Sequence, residues 1–498
     1  MTTPVQDVLP TPHLYIGGEW IAAQGTRPVL NPADESVLAQ APEADIDAVD
    51  RALQAARAAQ PAWGARSGVQ RAGVLRAVAE GIRAHAERLA KVIVAEQGKT
   101  ITEARGEAAG TAAFFDYYTT FARSSVGKLY APDEPGEQLH VRAVPYGVVV
   151  GIIPWNFPAA LFARKVAPAI MAGNTIVLKP HEETPLSALL LARICHDAGV
   201  PAGVVNVVTG AGRLVGDALV RHPITDLVTV TGSVRAGKEI LAAAADRITT
   251  VSLELGGKAP FIVLDDADVP AAIDAAAEAR FWNCGQVCTC NERTYVHRRV
   301  FDQFVEGFVE RARAVRVGDP RSDDSEMGPK VNAAELEKVQ AFVDGAVERG
   351  AEVLCGGGRP AGDEFATGYW FAPTVLTGVG NDWDIVRDEV FGPVLPIQPF
   401  DDFDEAIALA NDTPYGLTSY IYTRDFSTPM RAADALHSGE VYVNKVGPEL
   451  LQGFHGGYGL SGMGGDDGEY GYERYQRRKT VYLRYGSTPS SPGALPPQ

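Results

Sequence analysis

Between Tyr146 and Glu254, short apolar runs alternate with segments of helical periodicity. The runs Val148-Val149-Val150-Gly151-Ile152-Ile153, Thr175-Ile176-Val177-Leu178, Val204-Val205-Asn206-Val207-Val208, Leu227-Val228-Thr229-Val230 and Thr250-Val251-Ser252-Leu253-Glu254 lack the polar alternation of a strand with one wet face. Such runs are strands buried on both sides, and the predicted helices at 159–171, 185–198 and 234–245 supply the crossovers that parallel neighbours require. The pattern predicts an α/β chain with a doubly wound parallel sheet, which places ligands at the carboxyl ends of its strands. Upstream, 14–21 reads as a hairpin around Gly17-Gly18, and 45–59, 70–96 and 103–122 read as amphipathic helices layered on the sheet. After the stretch at 281–293 the alternation resumes, with a strand at 293–296, helices at 300–314 and 331–349, and strands near 352–354 and 375–376, which predicts a second α/β domain.

Two segments depart from this texture. Pro132, Pro135 and Gly136 exclude a helix near 127–145, while 138–144 alternates as a strand, so this region is expected to leave the domain as an exposed arm. The residues up to about Pro12 are expected to form a flexible tail, 480–484 a short strand, and 485–498, rich in Ser, Pro and Gly, a disordered end. A net charge of −17 repels phosphate backbones and anionic lipid, which excludes nucleic acid and membrane as partners. With no secretory leader pattern, no membrane-length apolar run and an odd number of cysteines, five, the expectation is a cytoplasmic protein with free thiols.

Chemistry concentrates in the loops that follow strands. Three of the five cysteines, Cys284, Cys288 and Cys290, fall within 281–293. Packing, metal binding and nucleophilic chemistry are the readings of such a cluster; the spacing offers no second Cys or His pair to close a zinc site, so no metal is expected and one thiol is read as a nucleophile. Glu254, set between Leu253 and Leu255, is expected to be desolvated, which suits a general base near neutral pH; a cap on the Gly256-Gly257 turn is the alternative. Asn156, within Pro154-Trp155-Asn156-Phe157-Pro158, is either a turn former or an oxyanion donor. Gly210-Ala211-Gly212 and Gly232-Ser233-Val234 are glycine turns that can bring backbone close to a diphosphate, although GxGxxG spacing is absent. Lys179 and Glu182 could hold a ribose diol, the carboxylate repelling a 2'-phosphate, or form a solvated charge pair.

Together with Glu389-Val390-Phe391-Gly392-Pro393, these motifs occur in an order that resembles the NAD(P)-dependent aldehyde dehydrogenase superfamily over about 15–483. The resemblance implies a Rossmann-like NAD-binding domain (1–126 and 148–255), a catalytic domain (256–455), an oligomerisation arm (127–147 and 466–486) and a disordered tail (487–498). It implies Cys288 as nucleophile, Glu254 as general base and Asn156 as oxyanion donor. For NAD it implies Ile153, Pro154, Trp155, Lys179, Glu182, Gly212, Gly232, Ser233, Glu389 and Phe391, leaving Cys284 and Cys290 to packing. A homo-oligomer, dimer or tetramer, is implied as well. Within the superfamily the chain is most similar to lactaldehyde and glycolaldehyde dehydrogenases, through 288–293, Arg164-Lys165 and 449–455. That similarity implies a small 2-hydroxyaldehyde substrate met by Arg164, Thr289, Glu449 and His455, with broad-specificity or semialdehyde oxidation as the alternative. Thr289 and Lys445-Val446-Gly447-Pro448 depart from the subgroup's usual pattern.

Overall fold

The computed structural model describes residues 12–124 and 126–485. The expected opening tail, up to 11, and the end from 486 lie outside these residues. A first sheet of eight strands runs in the order Glu19–Ile21, Leu14–Ile16, Val205–Val207, Thr175–Lys179, Val148–Ile152, Leu227–Thr231, Thr250–Glu254, Gly462–Met463. Its five central strands are parallel, and the outer ones join antiparallel. The chain leaves Val148–Ile152 to one side and later returns to its other side at Leu227–Thr231, so the topological switch point lies where that strand ends.

Both faces of this sheet are covered, which is why its strands tolerate no polar alternation. Val149, Ile176 and Leu178 face a core shared with the helices Gly68–Ala84, Ile101–Thr119, Pro158–Met171 and Pro185–Asp197. Val148, Val150, Val177 and Val228 face a second core under Ile46–Gly64 and Val234–Ala245.

The second sheet has seven strands in the order Glu352–Cys355, Thr374–Thr377, Val394–Phe400, Asn291–His297, Ala259–Val263, Thr418–Tyr422, Glu440–Val443, all parallel except the first. A third sheet is antiparallel and pairs Gly127–Tyr130 with Glu137–Pro145 and that strand with Gln476–Arg484. Residues 468–473 do not join it; they form a short helix that sets Tyr472, like the following Tyr475, in the first core. No helix among the described residues is long and apolar enough to cross a membrane.

Several sequence expectations need correction. The helix expected at 70–96 is two helices, Gly68–Ala84 and Ala86–Gln97, broken at His85 (φ −112°, ψ 14°). No Gly or Pro marks the break, so helical periodicity runs through it unaltered. A hairpin of Gly25–Leu30 with Val37–Glu43 has no counterpart in the expected elements. The last strand starts at Gln476 rather than 480, because Glu137–Pro145 offers partners along its whole length.

Candidate active site

The helix Pro158–Met171 begins at the switch point, with Pro158 at its first position and no side-chain cap from Phe157. Its orphan N–H groups are taken instead by Glu107 of the helix Ile101–Thr119, whose Oε1 accepts from Ala159 N (2.8 Å) and Ala160 N (3.1 Å). The other oxygen of Glu107 accepts from Lys99 Nζ at 2.6 Å, and both side chains are buried. Lys99 Nζ also donates to the Asn156 carbonyl (2.9 Å) and stands 3.6 Å over the Phe157 ring. Asn156 is therefore fixed from behind by a dry ion pair, and its Nδ2 donates to Gln286 O at 2.9 Å. The next crossover helix, Pro185–Asp197, is capped the same way: Glu96 accepts from Leu186 N (2.6 Å) and Ser187 N (2.9 Å).

The cysteine stretch is held in an unusual conformation. After the helix Val269–Phe281 the chain takes three successive left-handed residues, Asn283 (φ 49°), Cys284 (φ 56°) and Gly285 (φ 68°). Non-glycine residues in this region cost on the order of 1 kcal/mol or more each, so something must enforce them. Asn283 N donates to Glu103 Oε1 (2.6 Å), its Nδ2 to Asn156 O (3.0 Å), and its Oδ1 accepts from Gln97 Nε2 (2.9 Å). Gln286 closes the loop through Asn283 O (3.0 Å) and Val331 N (3.0 Å).

Behind the loop, Glu292 accepts from Lys258 Nζ (2.7 Å), Val390 N and Phe391 N (both 2.9 Å), and Arg280 stands 3.4 Å away. Burial raises the Glu292 carboxyl, but Lys258 and Arg280 outweigh it and hold it at about 2. The fixed anion ties the loop of Glu389 and Phe391 to the strand that follows Cys288. Gly256 and Gly257 are required here: a Cβ at 256 would lie 2.5 Å from Glu389 Oε2, and one at 257 would lie 2.4 Å from Cys288 O.

These loops enclose a cavity of about 660 Å³. Asn156, Glu254, Cys288 and Thr289 line it, as do Arg164, Glu449 and His455. Pro154, Trp155, Gly232, Ser233, Glu389 and Phe391 line it as well. Cys288 is partly exposed, whereas Cys284 and Cys290 are buried, Cys284 within the second domain's core and Cys290 with Sγ 2.7 Å from Arg280 Nη2. Glu254 is 2% exposed and neither carboxylate oxygen has a hydrogen-bond partner among the described residues, so it does not cap the turn beside it. Burial pushes it up to about 8, against the opposing charge of His455. Arg164 pairs with Glu449 and, at 2.9 Å, with Asp467, while its buried Nε lacks a partner among the described residues. Arg164 outweighs burial at Glu449 and holds that carboxyl at about 2.

Four residues expected near a dinucleotide do not line this cavity. Ile153 is buried and donates from N to Lys179 O (3.1 Å); Lys179 Nζ and Glu182 Oε2 stand 3.5 Å apart where Thr175–Lys179 ends. Gly212 opens a π turn, Gly212–Gly216, rather than a long helix. The cavity wall has a free donor and room for a nicotinamide dinucleotide: Thr231 Oγ1 is buried without a partner among the described residues, and a Cβ at Gly232 would meet nothing within 4 Å. Glu389 Oε1 is fixed by Gly257 N at 2.9 Å.

Sequence reasoning did not find the supporting network of Glu96, Gln97, Lys99, Glu103, Glu107, Asn283, Lys258, Arg280 and Glu292. A signal existed for Glu107, which falls on the same helical face as the buried Ala104, Ala108 and Thr111.

Residues 20–481 match the model of the aldehyde dehydrogenase family. The chain is 56% identical over 476 residues to the 3,6-anhydro-alpha-L-galactose dehydrogenase of Streptomyces coelicolor, covering 95% of this chain and 96% of that protein. It is 44% identical over 487 residues to the lactaldehyde dehydrogenase of Escherichia coli, covering 97% and 100%. A solved 3,6-anhydro-L-galactose dehydrogenase, in complex with NAP, superposes with a TM-score of 0.93 at 49% identity, covering 95% and 100%. The chain belongs to the aldehyde dehydrogenase family.

Proposed function

We propose that the chain oxidises a 2-hydroxyaldehyde to its carboxylic acid, with Cys288 as nucleophile, Glu254 as base and a nicotinamide dinucleotide as hydride acceptor. The observation that carries the substrate class is the cluster of buried Arg164 and His455 with partly buried Glu449 in the wall of the Cys288 cavity, where Arg164 Nε has no partner among the described residues. A hydroxyl beside the carbonyl can accept from Arg164 Nε, while a plain alkyl chain leaves that donor unpaired. The names of the two relatives point the same way, since open-chain 3,6-anhydrogalactose and lactaldehyde both carry a hydroxyl on the carbon next to the aldehyde.

The Cys288 thiolate bonds to the aldehyde carbon and the carbonyl electrons move to oxygen. Asn156 Nδ2 keeps one N–H for that oxyanion, a donor of the kind whose loss costs roughly 100- to 1,000-fold in rate. A nicotinamide dinucleotide held against Ser233, Glu389 and Phe391 would supply the hydride acceptor for that carbon. Glu254 then takes a proton from water; the hydroxide displaces Cys288 sulfur from the thioester and the acid departs.

The test is kcat/KM for glycolaldehyde, lactaldehyde, 3,6-anhydro-L-galactose, propanal and benzaldehyde. The hydroxylated aldehydes should lead propanal by roughly tenfold or more. Propanal or benzaldehyde as the better substrate would reject the substrate class in favour of broad specificity.

Glu182 supports NAD over the 2'-phosphorylated dinucleotide, by repelling the added phosphate near Lys179. Use of the phosphorylated form is the second reading, favoured by the neighbour in complex with NAP. Glu182→Gln is expected to narrow the NAD to NADP ratio of kcat/KM by about tenfold. An unchanged ratio would remove Glu182 from cofactor choice. A homo-oligomer is supported by the third sheet, which leaves Leu129, Tyr130, Tyr482 and Leu483 exposed.

A further inference from the structure

Resemblance places His455 among the substrate contacts, but its surroundings point to a second task. It is 3% exposed and lines the cavity beside Cys288, with carboxylates against both ring nitrogens. Nε2 lies 3.7 Å from Glu254 Oε2, and Nδ1 lies 3.3 Å from Glu440 Oε1. Its backbone is held in place. His455 and Asp466 exchange backbone hydrogen bonds at 2.9 and 2.7 Å, the Asp466 side chain takes Lys165 Nζ at 2.5 Å, and the strand Gly462–Met463 pairs with Leu253 and Glu254. Glu440 is steadied in turn by Thr418 Oγ1 at 3.1 Å.

Charge around the ring favours its cation. Glu254, Glu440 and Glu449 face it together with the Cys288 thiol, while the nearby Arg164 is already engaged by Glu449 and Asp467. Burial alone would lower the imidazole, but the neighbouring Cys288 thiol, the Glu440 carboxylate 3.3 Å from Nδ1 and the charge of Glu449 hold it well above the usual histidine range. The same contacts act in return: burial raises both the Cys288 thiol and the Glu254 carboxyl, and His455 opposes that rise at each.

We propose that the His455 imidazolium, oriented by Glu440, is a shared cation that biases Cys288 to thiolate and Glu254 to carboxylate before any aldehyde binds. The inference rests on the reading of Cys288 as nucleophile and Glu254 as base. The Cys288 Sγ proton passes to solvent, because the imidazolium already carries its own, and no electrons change hands. When the thioester later breaks, the departing thiolate again faces the imidazolium. A single cation then serves both halves of the reaction, in a cavity that would otherwise keep both groups neutral.

The experiment is alkylation of the enzyme by iodoacetamide, without aldehyde or dinucleotide, followed across about pH 5.5 to 10 with Cys288 modification read by peptide mass. His455→Gln should move the alkylation midpoint to higher pH and slow the reaction near neutrality by roughly tenfold, the thiolate lost per unit of pKa. The acid limb of its kcat profile should move the same way, because Glu254 loses the same cation. Glu440→Gln, which keeps the imidazole, should shift the alkylation profile in the same direction by less, and serves if His455→Gln yields no folded enzyme. A purely substrate-binding histidine would raise KM and leave alkylation where it is in wild type; that result overturns the proposal. NADH production persisting in Cys288→Ala would instead overturn the nucleophile assignment, and the proposal with it.

Discussion

Glu254→Gln should permit one turnover and stop the next. A first equivalent of NADH per active site is expected to appear at close to the wild-type rate, followed by a steady state slower by about 100- to 10,000-fold, the usual contribution of a positioned base. The reason is the division of labour proposed for the cavity: Cys288 and Asn156 would suffice to form the thioester, whereas its hydrolysis needs a proton acceptor for water, and the buried Glu254 oxygens, without a hydrogen-bond partner among the described residues, are the acceptor at hand. The sign of the pH effect follows. With the carboxyl raised to about 8, the base is protonated below that pH, so wild-type kcat should fall toward acid when hydrolysis limits turnover. Gln cannot titrate, so the variant's residual steady state should lose this limb. Rapid-quench and stopped-flow measurement of NADH would decide. An unimpaired steady state removes Glu254 from catalysis, and loss of the burst would place it ahead of the thioester, as the base for the Cys288 thiol.

What the sequence made legible divides along a physical line. Strands buried on both faces, Val148–Ile152 and Thr175–Lys179 among them, show in the sequence because a local apolar run records their burial. The motifs at Asn156 and Glu254 show because they sit where first-sheet strands end, while Cys288 lies in the loop between the helix Val269–Phe281 and the strand Asn291–His297, and all three line one cavity. Groups that act across the fold do not show. Lys99 and Glu107 meet each other and Asn156 only after the helix Ile101–Thr119 packs on Pro158–Met171, and no local spacing encodes that. The left-handed Asn283 is likewise held by partners distant in sequence, Gln97 and Glu103. Glu389 illustrates both sides: its motif is readable, whereas its need for Gly256 appears only when the carboxylate is seen to occupy the space of a Cβ.

The buried pair behind Asn156 supplies the other large expected effect. Lys99→Met should destabilise the protein by about 3–5 kcal/mol, because it removes one partner and leaves the Glu107 carboxylate dry, with only Ala159 N and Ala160 N to hold it. The surface pair Arg298 and Asp401 is the control: its contact is as short, 2.6 Å, but its side chains are 61% and 60% exposed, so Arg298→Met should cost about 0–1 kcal/mol. The difference between the two is dehydration rather than geometry. Activity of the folded Lys99→Met enzyme should also drop, since the Asn156 carbonyl loses its donor and the oxyanion site its rear support. Adding Glu107→Leu should restore part of the stability, as removing the second charge relieves the unpaired burial, but not the activity, because the N–H groups of Ala159 and Ala160 then lose their cap. Denaturation midpoints and kcat of the three variants, at one protein concentration, test the chain of causes. Equal midpoints for Lys99→Met and Arg298→Met would show that the pair does not stabilise the fold, and full kcat in Lys99→Met would show that Asn156 is held by its Gln286 and Asn283 contacts alone.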